Sequence, residues 1–196
     1  MKRIALTGGI ACGKSAMAGF LADFGCDVLD ADALVHVLES PGGAAVKPIV
    51  EAFGPEVRAP DGGIDRRRLG QVVFADDPSR LRLNRIVHPL VRAELARWLA
   101  APGEGHKVAV VPLLFEAGWD GAWDAVVCVA CTEAEQLRRL RTRGLSEDAA
   151  RARVAAQMPV AEKVRRASHV VWNDGDLQTL RREAARLMAE WAESTT

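Results

Sequence analysis

The chain has no charge of either sign in excess: lysine plus arginine and aspartate plus glutamate number 26 each over 196 residues, so the formal net charge at pH 7 is zero. Such a balance gives no global field to recruit nucleic acid or an anionic membrane surface, although a local basic site stays open. Aromatic residues make up only 5% of the chain and do not alternate with basic ones, which weighs further against a nucleic-acid module. No apolar run approaches the roughly 18 residues of a membrane span, and no signal-peptide pattern precedes the first strand-like run. The expectation is a cytoplasmic protein with no membrane partner, a monomer or small homo-oligomer. The four histidines have no metal-ligand spacing with one another or with cysteine. An NKxD base-reading motif, usual in guanine-nucleotide switches, is absent. So are internal repeats and low-complexity stretches.

Cysteine is also scarce, at Cys12, Cys26, Cys128 and Cys131. Cys128 and Cys131 have CxxC spacing but fall in an apolar run that reads as a strand. Three residues apart on a strand they point to opposite faces, so joint ligation of a metal or a disulfide between them is not expected. Cys12 differs because a helix N-terminus lowers the pKa of a thiol beside it. Two readings stay open there: a small residue tolerated in a loop, or a thiol whose oxidation blocks the loop.

What the chain does have is the segment TGGIACGKSA at Thr7 to Ala16. Gly8, Gly13, Lys14 and Ser15 stand at the GxxxxGKS spacing of a phosphate-binding loop, after an apolar run and before a helical pattern. Glycines let consecutive backbone N–H groups curl inward, and the following helix adds its N-terminal donors, which makes a concave anion cradle. In such a loop Lys14 reaches the β and γ phosphates and the Ser15 hydroxyl holds Mg²⁺.

Strand-like runs recur at Arg3 to Thr7, Asp27 to Asp30, Lys107 to Pro112, Asp124 to Cys131 and Ser168 to Trp172, with helical patterns between them. That alternation predicts an α/β fold: a parallel five-stranded sheet with flanking helices, like that of P-loop NTPases. The second strand is expected beside the first. About 75 residues without a convincing strand separate the second and third strands, far more than one crossover needs. Their helical periods, at 44–53, 65–74 and 79–99, indicate a helical insertion, and Pro89 is expected to break or kink the last of them. Ligands of open parallel sheets bind beyond the carboxyl ends of the strands, so the insertion is placed to form an acceptor pocket. The boundaries read as a core of residues 1–32, 106–132 and 168–196, an acceptor-binding insertion of 33–105, and a lid of 133–167. In the lid region, Gly144 reads as a helix C-cap and Ser146 as the next N-cap.

Several side chains could carry chemistry. Arg139 and Arg143, four apart on one helix face, can clamp a polyphosphate, although a solvated basic face accounts equally for the arginines of this region. Asp30 and Asp32 follow the second strand; a carboxylate there can accept a proton from an incoming hydroxyl, or either can cap the next helix. Glu116 ends the third strand's loop, where many phosphate-loop proteins keep an acidic group. His88 fits a core or capping role as readily as a ligand-binding one. Asn173 and Gly175 follow the last strand, where a loop can touch a nucleotide base or simply turn.

Taken together, TGGIACGKS, DADALVH at 30–36, IVHPLV at 86–91, VPLLFE at 111–116 and QMPVAEKVRRASHVVWNDG at 157–175 resemble the dephospho-coenzyme A kinase family over nearly the whole chain. The resemblance implies transfer of the ATP γ-phosphoryl group to the ribose 3′-hydroxyl of dephospho-coenzyme A, with Mg²⁺. It implies Asp32 as general base, Lys14 and Arg139 as catalytic cations, and Arg143 near the ATP base. It further implies a nucleotide site of Gly8, Gly9, Ala11, Cys12, Gly13, Lys14, Ser15, Ala16, Asn173 and Gly175. His88, Arg92 and Glu116 join Asp32 on the acceptor side. Ala11, Cys12 and Ala16 replace the family's usual glycine, serine and threonine, which leaves Lys14 and Ser15 in place but puts ATP affinity in question.

Overall fold

The computed structural model describes residues 1–74 and 76–193; the last three residues of the expected core, 194–196, lie outside the described ones. The chain divides into two compact units, residues 1–29 with 102–196, and residues 30–101.

The first unit holds a parallel sheet of β1 (Arg3–Gly8), β2 (Asp27–Asp30), β3 (Lys107–Val110), β4 (Ala125–Ala130) and β5 (His169–Trp172), in the order β2-β3-β1-β4-β5. The expected adjacency of β2 and β1 is therefore incorrect, because β3 lies between them. Burial gives the reason. All four residues of β3 are buried, as suits a strand covered on both faces, whereas β2 begins and ends exposed and takes the edge. Registers such as Leu6 with Val110 and Leu6 with Val127 fix β1 in the middle. The carboxyl end of β1 thus opens centrally in the sheet, and the chain there enters the glycine-rich loop.

On one face, α1 (Lys14–Asp23) and α9 (Leu177–Glu193) pack together over Ile4, Leu6, Val108, Val127 and Val129, contributing Met17, Leu21, Leu180, Leu187 and Trp191. Helix α8 (Val160–Arg166) packs against β4 and β1. Between β4 and α8 come α6 (Glu133–Thr142) and α7 (Glu147–Ala155), whose Leu137, Leu140 and Ala150 close over Ile10 and Ala11 of the loop. Gly144, at φ 88°, ends the turn after α6, and the Ser146 hydroxyl caps α7, as read from the sequence.

The second unit is helical: α2 (Ala31–Glu39), α3 (Val46–Phe53), α4 (Arg66–Phe74) and α5 (Asp77–Ala100). Arg66 ties α4 to α2 through Glu39 at 3.0 Å and the His36 imidazole at 2.9 Å. Pro89 does not break α5, which runs through it for 24 residues. Proline removes only the bond that residue 89 would have donated to the Arg85 carbonyl, and packing of Val87, Val91 and Leu95 in the unit's core outweighs that loss.

Candidate functional site

The loop between β1 and α1 turns at Ala11, whose φ of 59° is the left-handed conformation that a glycine adopts without strain. Burial of its methyl group against Leu137 and Leu140 offsets part of that strain. Gly13, at φ 103°, caps α1, and a Cβ there would lie 2.2 Å from Nδ2 of Asn173. Glycine is therefore required at 13 for close approach as well as for backbone conformation.

Five consecutive loop carbonyls accept side-chain hydrogen bonds. Lys14 Nζ donates to Gly8 and Gly9 at 3.0 and 2.8 Å. Gln136 Nε2 donates to Ile10 at 2.8 Å, Arg139 Nη1 to Ala11 at 3.1 Å, and Asn173 Nδ2 to Cys12 at 2.8 Å. Of the loop amides, that of Ile10 donates to Gln157 Oε1 at 3.0 Å and that of Cys12 to the Gly9 carbonyl at 3.3 Å, and the first turn of α1 presents its own amides at the end of the loop. The result is a cradle for an anion, with the Lys14 ammonium over the loop.

Arg139 is engaged on the loop itself. Its guanidinium bridges the Ala11 carbonyl, the Asn173 carbonyl at 2.7 Å and Glu135 Oε1 at 2.6 Å. Hydrogen bonds from Arg138, and then Arg139, hold the Glu135 carboxyl down to about 2. Arg143, expected with Arg139 as a polyphosphate clamp, is the exposed C-cap of α6.

Cys12 lies under the loop, fully buried, with its Sγ 3.2 Å from that of Cys131. The Cys131 thiol donates to it, and Lys14 adds positive charge, so Cys12 is lowered to about 7 while Cys131 is pushed up. All four cysteines are buried. Ser15 is exposed in the first turn of α1, with Ala16 beside it half-buried; Gly175 lies in the turn before α9.

Glu116 sits in the loop after β3 and accepts from Lys163 Nζ at 2.8 Å and from the Met158 amide at 3.1 Å. In the helical unit, Asp30 Oδ1 accepts from the amides of Asp32 and Ala33, so Asp30 is the cap of α2 and Asp32 is not. His88 and Arg92 lie one turn apart on α5; burial first, and then the Arg92 charge, lowers the His88 pKa.

Sequence reasoning missed Gln136 as a loop contact and Lys163 as a buried cation. A signal for Gln136 existed: a lone amide between the apolar positions of α6 has to find a partner when buried.

The family described as dephospho-CoA kinase matches residues 2–179. The dephospho-CoA kinase of Bdellovibrio bacteriovorus is 42% identical over 98% of this chain and 97% of its own. A solved structure from Thermus thermophilus covers 96% of both chains at 37% identity and a TM-score of 0.82. The dephospho-CoA kinase from Campylobacter jejuni covers 99% of this chain and 98% of its own, at 25% identity and a TM-score of 0.74.

Proposed function

The chain belongs to the dephospho-CoA kinase family, and from that membership we propose that it transfers the γ-phosphoryl group of ATP to the ribose 3′-hydroxyl of dephospho-coenzyme A, the final step of coenzyme A synthesis. The observation that carries the reading is the phosphate loop with its carbonyls tied back from Gly8 to Cys12.

In this reading the loop amides and Lys14 bind the triphosphate. Lys14 leaves the Gly8 and Gly9 carbonyls for the β and γ phosphate oxygens, exchanging neutral acceptors for charged ones. Arg139 stays on the loop and lends its charge to the migrating group. Asp32 takes the proton of the acceptor hydroxyl; in support, Asp30 has the capping role and Asp32 follows it in the family's DAD segment. Arg143, Asn173 and Gly175 contact the nucleotide, and His88, Arg92 and Glu116 serve the acceptor side. Residues 133–167 act as the lid and 33–105 as the acceptor-binding insertion.

Among the described residues no three His, Cys, Asp or Glu side chains form a cage for a metal ion. Mg²⁺ needs none here, since it keeps waters and phosphate oxygens as ligands, and an exposed Ser15 hydroxyl at the start of α1 fits that coordination. When bound, Mg²⁺ offsets charge on the phosphates. Among the described residues no helix is long and apolar enough to cross a membrane. We further infer work in the cytoplasm, where ATP is supplied, as a monomer or small homo-oligomer.

Product analysis after incubation with ATP, Mg²⁺ and dephospho-coenzyme A tests the whole reading. The expected products are ADP and coenzyme A phosphorylated at the 3′ position. Faster transfer to AMP or to a small sugar acid would transfer the chain to a different acceptor class.

A further inference from the structure

We propose that Gln136 and Gln157 are a pair of positioning residues that fix the peptide planes of Ile10 for ATP binding, a role that rests on the reading of the loop as the ATP site. Each side of Ile10 is held by a different amide. Gln157 Oε1 accepts the Ile10 N–H at 3.0 Å, and Gln136 Nε2 donates to the Ile10 carbonyl at 2.8 Å. The orientation of both amides is dictated by the backbone: a peptide N–H needs an oxygen and a peptide carbonyl needs a donor.

The two glutamines come from opposite ends of the segment between β4 and α8. Gln136 is in the first turn of α6 and is buried, with its own amide on the Thr132 carbonyl; Gln157 lies between α7 and α8, with its amide on Val154. The entry and exit of that segment therefore meet on a single loop residue. Space is also tight: a Cβ on Gly9 would come within 2.6 Å of Gln136 Nε2 and of Val160 Cγ2. Gly9 thus lets the Gln136 amide and α8 close on the loop together.

Rotation of these two peptide planes would swing their own carbonyls, those of Gly9 and Ile10, toward the phosphates, where like partial charges oppose binding. Glu at either position adds the same charge near the same residue. At 157 it keeps an acceptor for the Ile10 N–H. At 136 it replaces a donor by an acceptor facing a carbonyl. The two substitutions consequently separate hydrogen-bond polarity from charge and from packing.

The test begins with equilibrium ATP binding by the wild-type protein, followed by steady-state kinetics of Gln136→Glu, Gln157→Glu, Gln136→Met and Gln157→Met with ATP and dephospho-coenzyme A. The expected result is a KM for ATP raised about tenfold in each Met variant, the equivalent of one lost hydrogen bond. KM for dephospho-coenzyme A stays within about twofold in all four. Gln136→Glu raises KM for ATP about tenfold more than Gln157→Glu does. Should Gln136→Glu fail to fold, the two Met variants decide. Unchanged KM for ATP in the Met variants, equal effects of the two Glu variants, or parallel rises for both substrates overturn the proposal. Wild-type protein that binds no ATP overturns the reading of the loop itself, and this inference with it.

Discussion

Lys163 Nζ lies 2.8 Å from Glu116 Oε1 and 2.9 Å from the Pro112 carbonyl, with the lysine side chain wholly out of solvent and the glutamate 24% exposed. Thr7 Oγ1 donates to the same Pro112 carbonyl at 3.3 Å, so β1, the loop after β3, and α8 are joined at one point. The unequal burial sets unequal costs. Glu116→Ala leaves an ammonium buried without its carboxylate and is expected to cost about 3 kcal/mol. Lys163→Met leaves a carboxylate that water can reach and is expected to cost about half of that. Urea unfolding of the two variants measures both, and equal losses would refute the asymmetry.

Asp32→Asn tests the proposed base. Removing a positioned proton acceptor typically lowers turnover by about 10² to 10⁴, and ATP binding should be nearly untouched because the asparagine keeps size and removes only charge. A variant that turns over at the wild-type rate would take Asp32 out of the chemistry.

The five strands and three helices of the long insertion, α3, α4 and α5, were legible because strands carry apolar runs and the helices carry their own period. Strand order was not. The neighbour of β1 is decided by which strand is buried on both faces, and the four-residue run DVLD of β2 gives little sign that Asp27 and Asp30 mark an edge. At Pro89 the expected break is absent for a related reason: the local rule counts one lost hydrogen bond, whereas the packing of Val87, Val91 and Leu95 acts over the whole helix. At the site, Lys14 and Gly13 were legible from spacing alone. The spacing of Arg139 and Arg143 gave a shared helix face, but α6 ends before 143, so only Arg139 reaches the loop. Gln136 and Gln157 meet Ile10 across more than a hundred residues, a separation that no local pattern records.

Cys12 is lowered to about 7, chiefly by the thiol of Cys131, whereas Cys26 and Cys128 are pushed up to about 11 by burial. A depressed pKa means thiolate above pH 7, so alkylation of Cys12 should climb with pH through about 7 while the other two stay protonated. Its side chain is fully buried, so reaction requires local opening, and saturating ATP should slow it by holding the loop shut. Mass-spectrometric timing of iodoacetamide labelling with and without ATP reads this. Equal rates under both conditions would show that nucleotide does not stabilise the loop over Cys12.

Arg139 serves two carbonyls and one carboxylate with one planar fork, a geometry that lysine does not reproduce. Arg139→Lys keeps the charge but gives up at least one of the bonds to Ala11 and Asn173. It is therefore expected to raise KM for ATP about tenfold, as one lost bond would, and to lower kcat in addition because the charge is displaced. Glu135 orients this guanidinium, and its carboxyl, depressed from 4.5 to about 2, stays ionised throughout the working range. Its contribution is complete above the ordinary carboxylate pKa and is lost only as pH falls through about 2. Glu135→Gln should thus lower kcat/KM for ATP by a similar factor at every pH from 5 to 9, without moving either limb of the profile. A shifted acid limb in the Gln variant would mean that Glu135 titrates during turnover and that Arg139 is held by something else.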